Sequence, residues 1–385
     1  MLAANSALPR ARRVHVIVTA ALVMAAIDLC PARVATDSAN VIIGLLLPPE
    51  EAEAASLRAG AQLAVEQSKK EGSNASLVIR GRVGQWGADG EEAARMVLDD
   101  GAQALIAPPN GAATHLALQV AGRTATPVAS LCADSSVSRT GTPWMVRVVP
   151  TTIEEARYLL ATSNTKIPGP PGWLALVPDG RAGREVARDL NRAAAAAQRK
   201  LRRVCEVNSS LTNFESFAAQ VLKDQPAEVL VWLDPVPAGK LVKSLREAGF
   251  IGKLAGPSRC NSPSFLAAAT QASEGFMVPA IVLDAPGAAR FLSFQRAFRQ
   301  RYGIEADLTA AESYDAARLL VHILRQNTPQ SLPRAFPLAF SFPGALGDLA
   351  FDTEGNRKLS LRLLIVRQDR FEPSSASTDT PPRGK

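Results

Sequence analysis

The sequence predicts an α/β fold of two similar halves, each built on a parallel sheet with helices on both faces. Three observations carry this. Short apolar runs of strand length alternate with segments of helical spacing. The runs are continuous, as strands covered on both faces require, and the alternation starts afresh near residue 150. With 385 residues, 47% hydrophobic and only 5% aromatic, the chain is long enough for two domains that each bury a core.

The first half opens at "VIIGLLL" (41–47), followed by "EEAEAASLRAGAQLAVEQSKK", whose acids begin and lysines end a helix as the helix dipole favours. "SLVIR" (76–80) leads to a helix over 90–101, and "ALIA" (104–107) to a helix from about Ala112 to Thr124. "TPVASL" (126–131) runs into the loop "CADSSVSRTGTPW". The second half repeats the rhythm. "WLALV" (173–177) precedes a helix over 183–200, "RRVCEV" (202–207) precedes "NFESFAAQVLKD", and "EVLVWL" (228–233) precedes "AGKLVKSLREAGF". "GKLAG" (252–256) follows. Two late helical segments and a pair of extended segments around the turn "TEGN" come last.

The two ends are set apart. Arg10, Arg12 and Arg13 before the apolar run Val16–Ile27, with small residues after it, describe a secretory signal peptide over 1–35. Its removal takes four arginines and Asp28 from 43 basic and 36 acidic residues, so a +7 chain becomes a mildly basic +4 one with interspersed charges. No basic stripe marks a nucleic-acid surface. Residues 373–385, polar and proline-containing, read as a disordered tail. Three cysteines remain after the leader. Cys205 and Cys260 fall in one half, where a bridge and free thiols are both open.

Catalytic signatures are missing. No GxGxxG stands at a strand–helix junction, and no GxxxxGK[ST], GxSxG, HExxH or CxxC occurs. His115 and His322 lie far apart, so no metal site, cofactor or enzyme activity is expected. Binding needs less. Ligands of such sheets sit at the carboxyl ends of the strands. Five loops follow strand runs there: "PPNGAA" (108–113), "CADSS" (132–136), "PDGRAG" (178–183), "DPVP" (234–237) and "GPSRC" (256–260). Four are rich in Gly, Ser, Asp or Asn, which let main-chain N–H groups approach a ligand. Asn110 alone reads as a helix N-cap; the convergence of the loops makes it part of a site.

The stretches "RAGAQLAVEQ", "AARMVLDDGAQALIAP", "ATPVASLCADSS", "VRVVPT", "LREAGF", "ESYDAARLL" and "FDTEGN", in this order, resemble the periplasmic solute-binding proteins of ABC transporters, leucine/isoleucine/valine-binding type. The resemblance implies two Rossmann-like lobes with parallel sheets joined by three hinge crossings, the type I periplasmic binding protein fold. It puts the first lobe at 40–151 and 281–342 and the second at 152–280 and 343–372. It implies a periplasmic, monomeric receptor that closes on a small-molecule solute (an amino acid, an amide or a related metabolite) and delivers it to ABC permease subunits. A sensory protein of the same fold and an exported α/β enzyme are the alternatives.

By the resemblance, Asn110, Gly111 and Ala112 meet the carboxylate of an amino acid, and Cys132, Ala133 and Asp134 the rest of its backbone. The chain departs from the pattern at Gly111, where serine is usual, at Asp134, where threonine is usual, and at Ser258, where amino-acid binders carry an acid. Aromatic walls expected near Ala54, Ala182 and Pro235 are missing, and Gly81 and Arg82 replace acidic residues. Two accounts follow. Asp134 replaces the acid lost at Ser258 and holds an ammonium, or the pocket has changed ligand class, with Arg181 and Arg259 at its rim favouring an anion. Asp179, on the loop 178–183, is a further ligand-binding candidate. Against these stand Asp134 as a cap and the arginines as solvated surface.

Overall fold

The computed structural model describes residues 40–81, 87–162, 172–326 and 341–374. The expected leader over 1–35, the position Arg82 and residues 375–385 of the expected tail lie outside the described residues.

Two main sheets form. The first has order β2-β1-β3-β4-β5, all parallel, from β1 (Val41–Leu46), β2 (Ala75–Arg80), β3 (Ala104–Ala107), β4 (Val128–Ser130) and β5 (Met145–Arg147). Its strands are continuous apolar runs because helices cover both faces: Ile43, Leu45 and Ile106 are fully buried. The second sheet pairs in parallel through β6 (Trp173–Pro178), β7 (Leu201–Val207), β8 (Glu228–Val231), β9 (Lys253–Ala255) and β10 (Met277–Ile281). An antiparallel edge of β13 (Leu361–Arg367) and β14 (Arg370–Pro373) completes it. Between them in sequence, β11 (Phe342–Gly344) and β12 (Gly347–Leu349) make a small hairpin.

The helices that matter to the cleft are α1 (Glu51–Lys70), α3 (Gly111–Thr124), α4 (Thr152–Ala161), α5 (Gly180–Ala196) and α10 (Leu308–Gln326). Helix α2 (Ala88–Leu98) packs beside α3. Helix α1 lies directly on α10: a Cβ on Gly60 would stand 2.0 Å from the Ala310 carbonyl oxygen, so only glycine permits this approach. Helix α4 opens with a capping box, Thr151 and Glu154 each satisfying the other's backbone N–H. Helix α5 starts at Gly180, three residues before the expected 183. Its first turn packs so tightly on the end of β6 that a Cβ on Gly183 would meet the Pro178 carbonyl oxygen at 1.6 Å. Helices α6 (Phe214–Leu222), α7 (Pro235–Glu247) and α8 (Pro263–Ala269) cover the second sheet, and α9 (Ala285–Tyr302) the first lobe.

The chain passes between the sheets three times: at 148–151, at 282–284 and at 350–360. Two buried arginines tie the outer crossings. Arg147 Nε donates to Asn356 Oδ1 at 3.1 Å, and Arg357 Nη1 donates to the Val148 carbonyl at 3.1 Å. Val282 N donates to the Ser360 carbonyl at 2.9 Å, joining the middle crossing to the third.

The expected division put 343–372 in the second lobe. Residues 343–351 instead pack on the first: Leu349 and Phe351 are buried in its core, and Ala345 and Leu346 lie among Phe294 and Phe298. Asp315 on α10 holds them there, accepting from Ala345 N at 2.6 Å and Leu346 N at 2.9 Å. Cys132, Cys205 and Cys260 are free thiols, which closes the question of a Cys205–Cys260 bridge.

Candidate functional site

The strand tips of both sheets face one cavity of about 480 Å³ between the lobes. Of the ten residues singled out from the sequence, Asn110, Gly111, Ala112, Cys132, Ala133, Asp134, Arg181, Ser258 and Arg259 line it. Asp179, the residue before α5, does not.

Each strand ends where its loop must turn into a helix, so helix starts ring the cavity. At α3, Asn110 is a true cap, its Oδ1 accepting from Ala113 N at 3.0 Å. The amides of Gly111 and Ala112 stand in the first turn, without intrahelical acceptors. They do not face an open anion site. A Cβ on Gly111 would lie 3.1 Å from Asp134 Oδ2 and 3.2 Å from Glu185 Oε2, so the protein brings its own carboxylates to this helix start.

The loop after β4 is held from below. Arg147, fully buried, donates to the carbonyls of Cys132 and Asp134, the latter at 2.9 Å, and to Ser138 Oγ at 3.1 Å. The Cys132 thiol is buried and pushed up to about 11 by desolvation. The Ala133 carbonyl accepts from Thr152 N at 2.9 Å. Asp134 accepts from Ser136 N at 2.9 Å, Ser136 Oγ at 2.6 Å and Arg188 Nη2 at 3.0 Å. Burial opposes its ionisation, but the Ser136 hydrogen bonds and the Arg188 charge prevail and hold it below the usual carboxylate range. Asp134 is therefore occupied as a turn-capping residue and ion-pair partner, with little left for a solute ammonium. Beside it, Ser135 donates from N at 3.0 Å and from Oγ at 2.6 Å to Asp189 of α5, a direct bond from one lobe to the other.

The opposite end of the cavity differs. Arg259, in the short 3-10 turn Ser258–Cys260 after β9, pairs with Asp234 at 3.0 Å and with Glu53 of α1 across the cleft. Arg181 pairs with Glu185 at 2.8 Å. Both arginines thus pair with carboxylates of the protein itself. Ser258 N donates to Glu155 Oε2 at 3.2 Å, so an acid from α4 stands beside the position where an acid was missing. Burial pushes Glu155 up to about 7, against the Ser258 hydrogen bonds and Arg259. Glu312 on α10, 9% exposed, is pushed up to about 8 by burial, against Arg259. Trp232 at the end of β8 lines the same cavity. An aromatic wall therefore exists, on a strand end rather than on the loops.

Sequence reasoning missed Glu53, Glu155, Glu185, Asp189, Trp232 and Glu312. Only Glu312 carries a signal: it shares the apolar stripe of Ala316, Leu319, Leu320 and Ile323, and an acid on a core stripe invites a reason.

Two α/β lobes with a side-chain-lined gap at their strand tips, joined by three crossings, define a hinged solute-binding fold. The chain matches the family model of periplasmic binding proteins over residues 43–370, and it belongs to that family. Solved structures agree with the type I fold. The branched-chain amino acid transporter substrate-binding protein LivJ of Streptococcus pneumoniae, in complex with isoleucine, is 16% identical. The match covers 86% of this chain and 98% of that one, with a TM-score of 0.75. The leucine-binding protein LivK of Thermotoga maritima is 18% identical over 87% and 98%, with a TM-score of 0.73. A solute-binding protein of an ABC transporter from R. palustris, in complex with benzoate, is 18% identical over 86% and 95%, with a TM-score of 0.75. No curated protein sequence matches the chain. Among the described residues no helix is long and apolar enough to cross a membrane.

Proposed function

We propose that the protein is an exported receptor that closes its two lobes on a small polar solute and presents it to an ABC importer in the periplasm. The observation that carries this reading is the cavity itself: residues of both lobes line one space of about 480 Å³, a size that suits a small metabolite. Residues 1–35 are the proposed export signal, and a monomer the proposed working state. The first lobe is taken as 40–151 and 281–351, the second as 152–280 and 352–372. Gly111, Ala112, Ser258 and Arg259 are proposed to border the solute, with Cys132, Ala133 and Asp134 shaping the wall.

Thermal denaturation with a panel of amino acids, amides, amines and aromatic or aliphatic carboxylates tests this. A true ligand at a hundred times its dissociation constant adds roughly 2.7 kcal/mol of stability. A panel that leaves the transition unmoved at millimolar concentration argues against a receptor. Co-purification of the loaded protein with permease subunits tests the import role separately.

A further inference from the structure

Eight carboxylates line the cavity against two arginines. A chain with a net charge of +7 therefore keeps its cleft negative. Most of these acids are answered by the protein. Asp134 and Asp189 accept from Ser136, Arg188 and Ser135. Glu185 has Arg181, while Glu53 and Asp234 share Arg259. Glu312 is different. It is nine-tenths buried, lines the cavity, and among the described residues accepts no hydrogen bond and makes no ion pair. Glu155, 3% exposed, uses one oxygen for Ser258 and lines the same space.

The charged groups facing Glu312 do not neutralise it. They are Arg259 from the turn after β9, Glu155 from α4, Asp307 from the segment before α10, and Arg357 from the third crossing. Arg259 is already divided between two acids, and Arg357 donates to the carbonyls of Val148, Leu346 and Asp348. A buried acid without a donor is costly unless a partner arrives.

We propose that Glu312 of α10 and Glu155 of α4, on the two lobes, together hold the primary ammonium group of a small aminated solute. This rests on the receptor reading above and names the ligand chemistry of its cleft. The cation supplies the donors that the protein withholds, and because the two acids come from different lobes, the solute links the lobes on closure. Recognition of the ammonium thus falls to helix side chains rather than to the loop position Ser258 or to Asp134.

The test is calorimetric titration of the full mature chain with matched solutes that differ by one group: L-leucine, 3-methylbutylamine, which lacks the carboxylate, and 4-methylpentanoate, which lacks the ammonium. Putrescine and benzoate extend the panel. The expected result is that ammonium-bearing members bind at least tenfold more tightly than ammonium-free counterparts, whether or not they carry a carboxylate. Glu312→Gln is expected to weaken them at least tenfold, and Glu155→Gln serves the same end if the first variant fails to fold. In the wild type, affinity for the ammonium solutes rises several-fold between pH 6 and 8.5 as the two acids ionise. Equal or tighter binding of the ammonium-free members, or a flat pH profile, overturns the inference and leaves the receptor reading standing. If nothing in this panel or the broader one binds, both fall.

Discussion

The two ends of the cleft hold similar numbers of acids and treat them in opposite ways. Where α5 meets the loop after β4, Asp189 is 1% exposed and receives two hydrogen bonds from Ser135, while Asp134 receives Ser136 and Arg188. Where α4 and α10 meet the turn after β9, one guanidinium serves Glu53 and Asp234, and Glu155 and Glu312 are pushed up to about 7 and 8 by burial. Burial is common to both ends; the supply of donors is not. A buried acid with its donors in place is part of the scaffold, and one without them leaves room for a partner.

The largest expected effect lies at the satisfied end. Arg147 is fully buried and donates to two loop carbonyls, to Ser138 and, across the crossing, to Asn356. Arg147→Met fills similar space but leaves those acceptors dry. Hydrogen bonds to charged groups are worth about 1.5–3 kcal/mol each, so a loss of roughly 3 kcal/mol or more is expected. Urea unfolding measures it. A loss below about 1 kcal/mol would mean the loop is held by other contacts, and the contrast between the ends would shrink.

A smaller effect, of opposite sign, belongs to the unsatisfied end. Glu312, whose charged form burial disfavours, holds its proton up to about pH 8 when folded but releases it near the ordinary carboxylate value of 4.5 when unfolded. Between those values the folded state binds the extra proton, so stability falls as pH rises. Across pH 6–8 the loss from this group is about 2 kcal/mol, at about 1.4 kcal/mol per unit. Glu312→Gln should remove it. The measurable quantity is the difference between wild type and variant over that range, in which groups shared by both, such as Asp315 and His322, cancel. A difference independent of pH would show that Glu312 is ionised or paired in the empty protein.

Much of the scaffold was legible in the sequence, and less of the site. Continuous runs such as Val41–Leu46 and Trp173–Pro178 are strands because both faces are covered, a condition that shows locally. The strand tips were legible for the same reason, since each loop follows its run. The partners of the tips were not. Asp134 looks free to bind until Arg188, 54 residues on, reaches it from the other lobe, and Arg259 looks free until Glu53, 206 residues away, closes on it. The misplacement of 343–351 has a similar cause: Asp315 captures the hairpin through backbone amides that no side-chain pattern reveals. Pairing across lobes depends on the crossings, and nothing in a local window encodes it.

The smallest effect discriminates most finely between the two ends. Arg181 lies in the first turn of α5, its side chain 61% exposed, bonded to Glu185 four residues on. A cation at a helix start opposes the dipole, and an exposed pair of this spacing contributes about 0.3–0.5 kcal/mol. Arg181→Ala should therefore leave stability within about 0.5 kcal/mol in urea titrations. Its effect on binding has a sign. If the cleft takes an anion, losing one of its two lining arginines weakens the complex. If it takes an ammonium, freeing Glu185 makes the cavity more negative, and affinity holds or rises slightly. A clear fall in affinity on Arg181→Ala, with stability unchanged, would move the recognition of charge from the α10 end of the cleft to the α5 end.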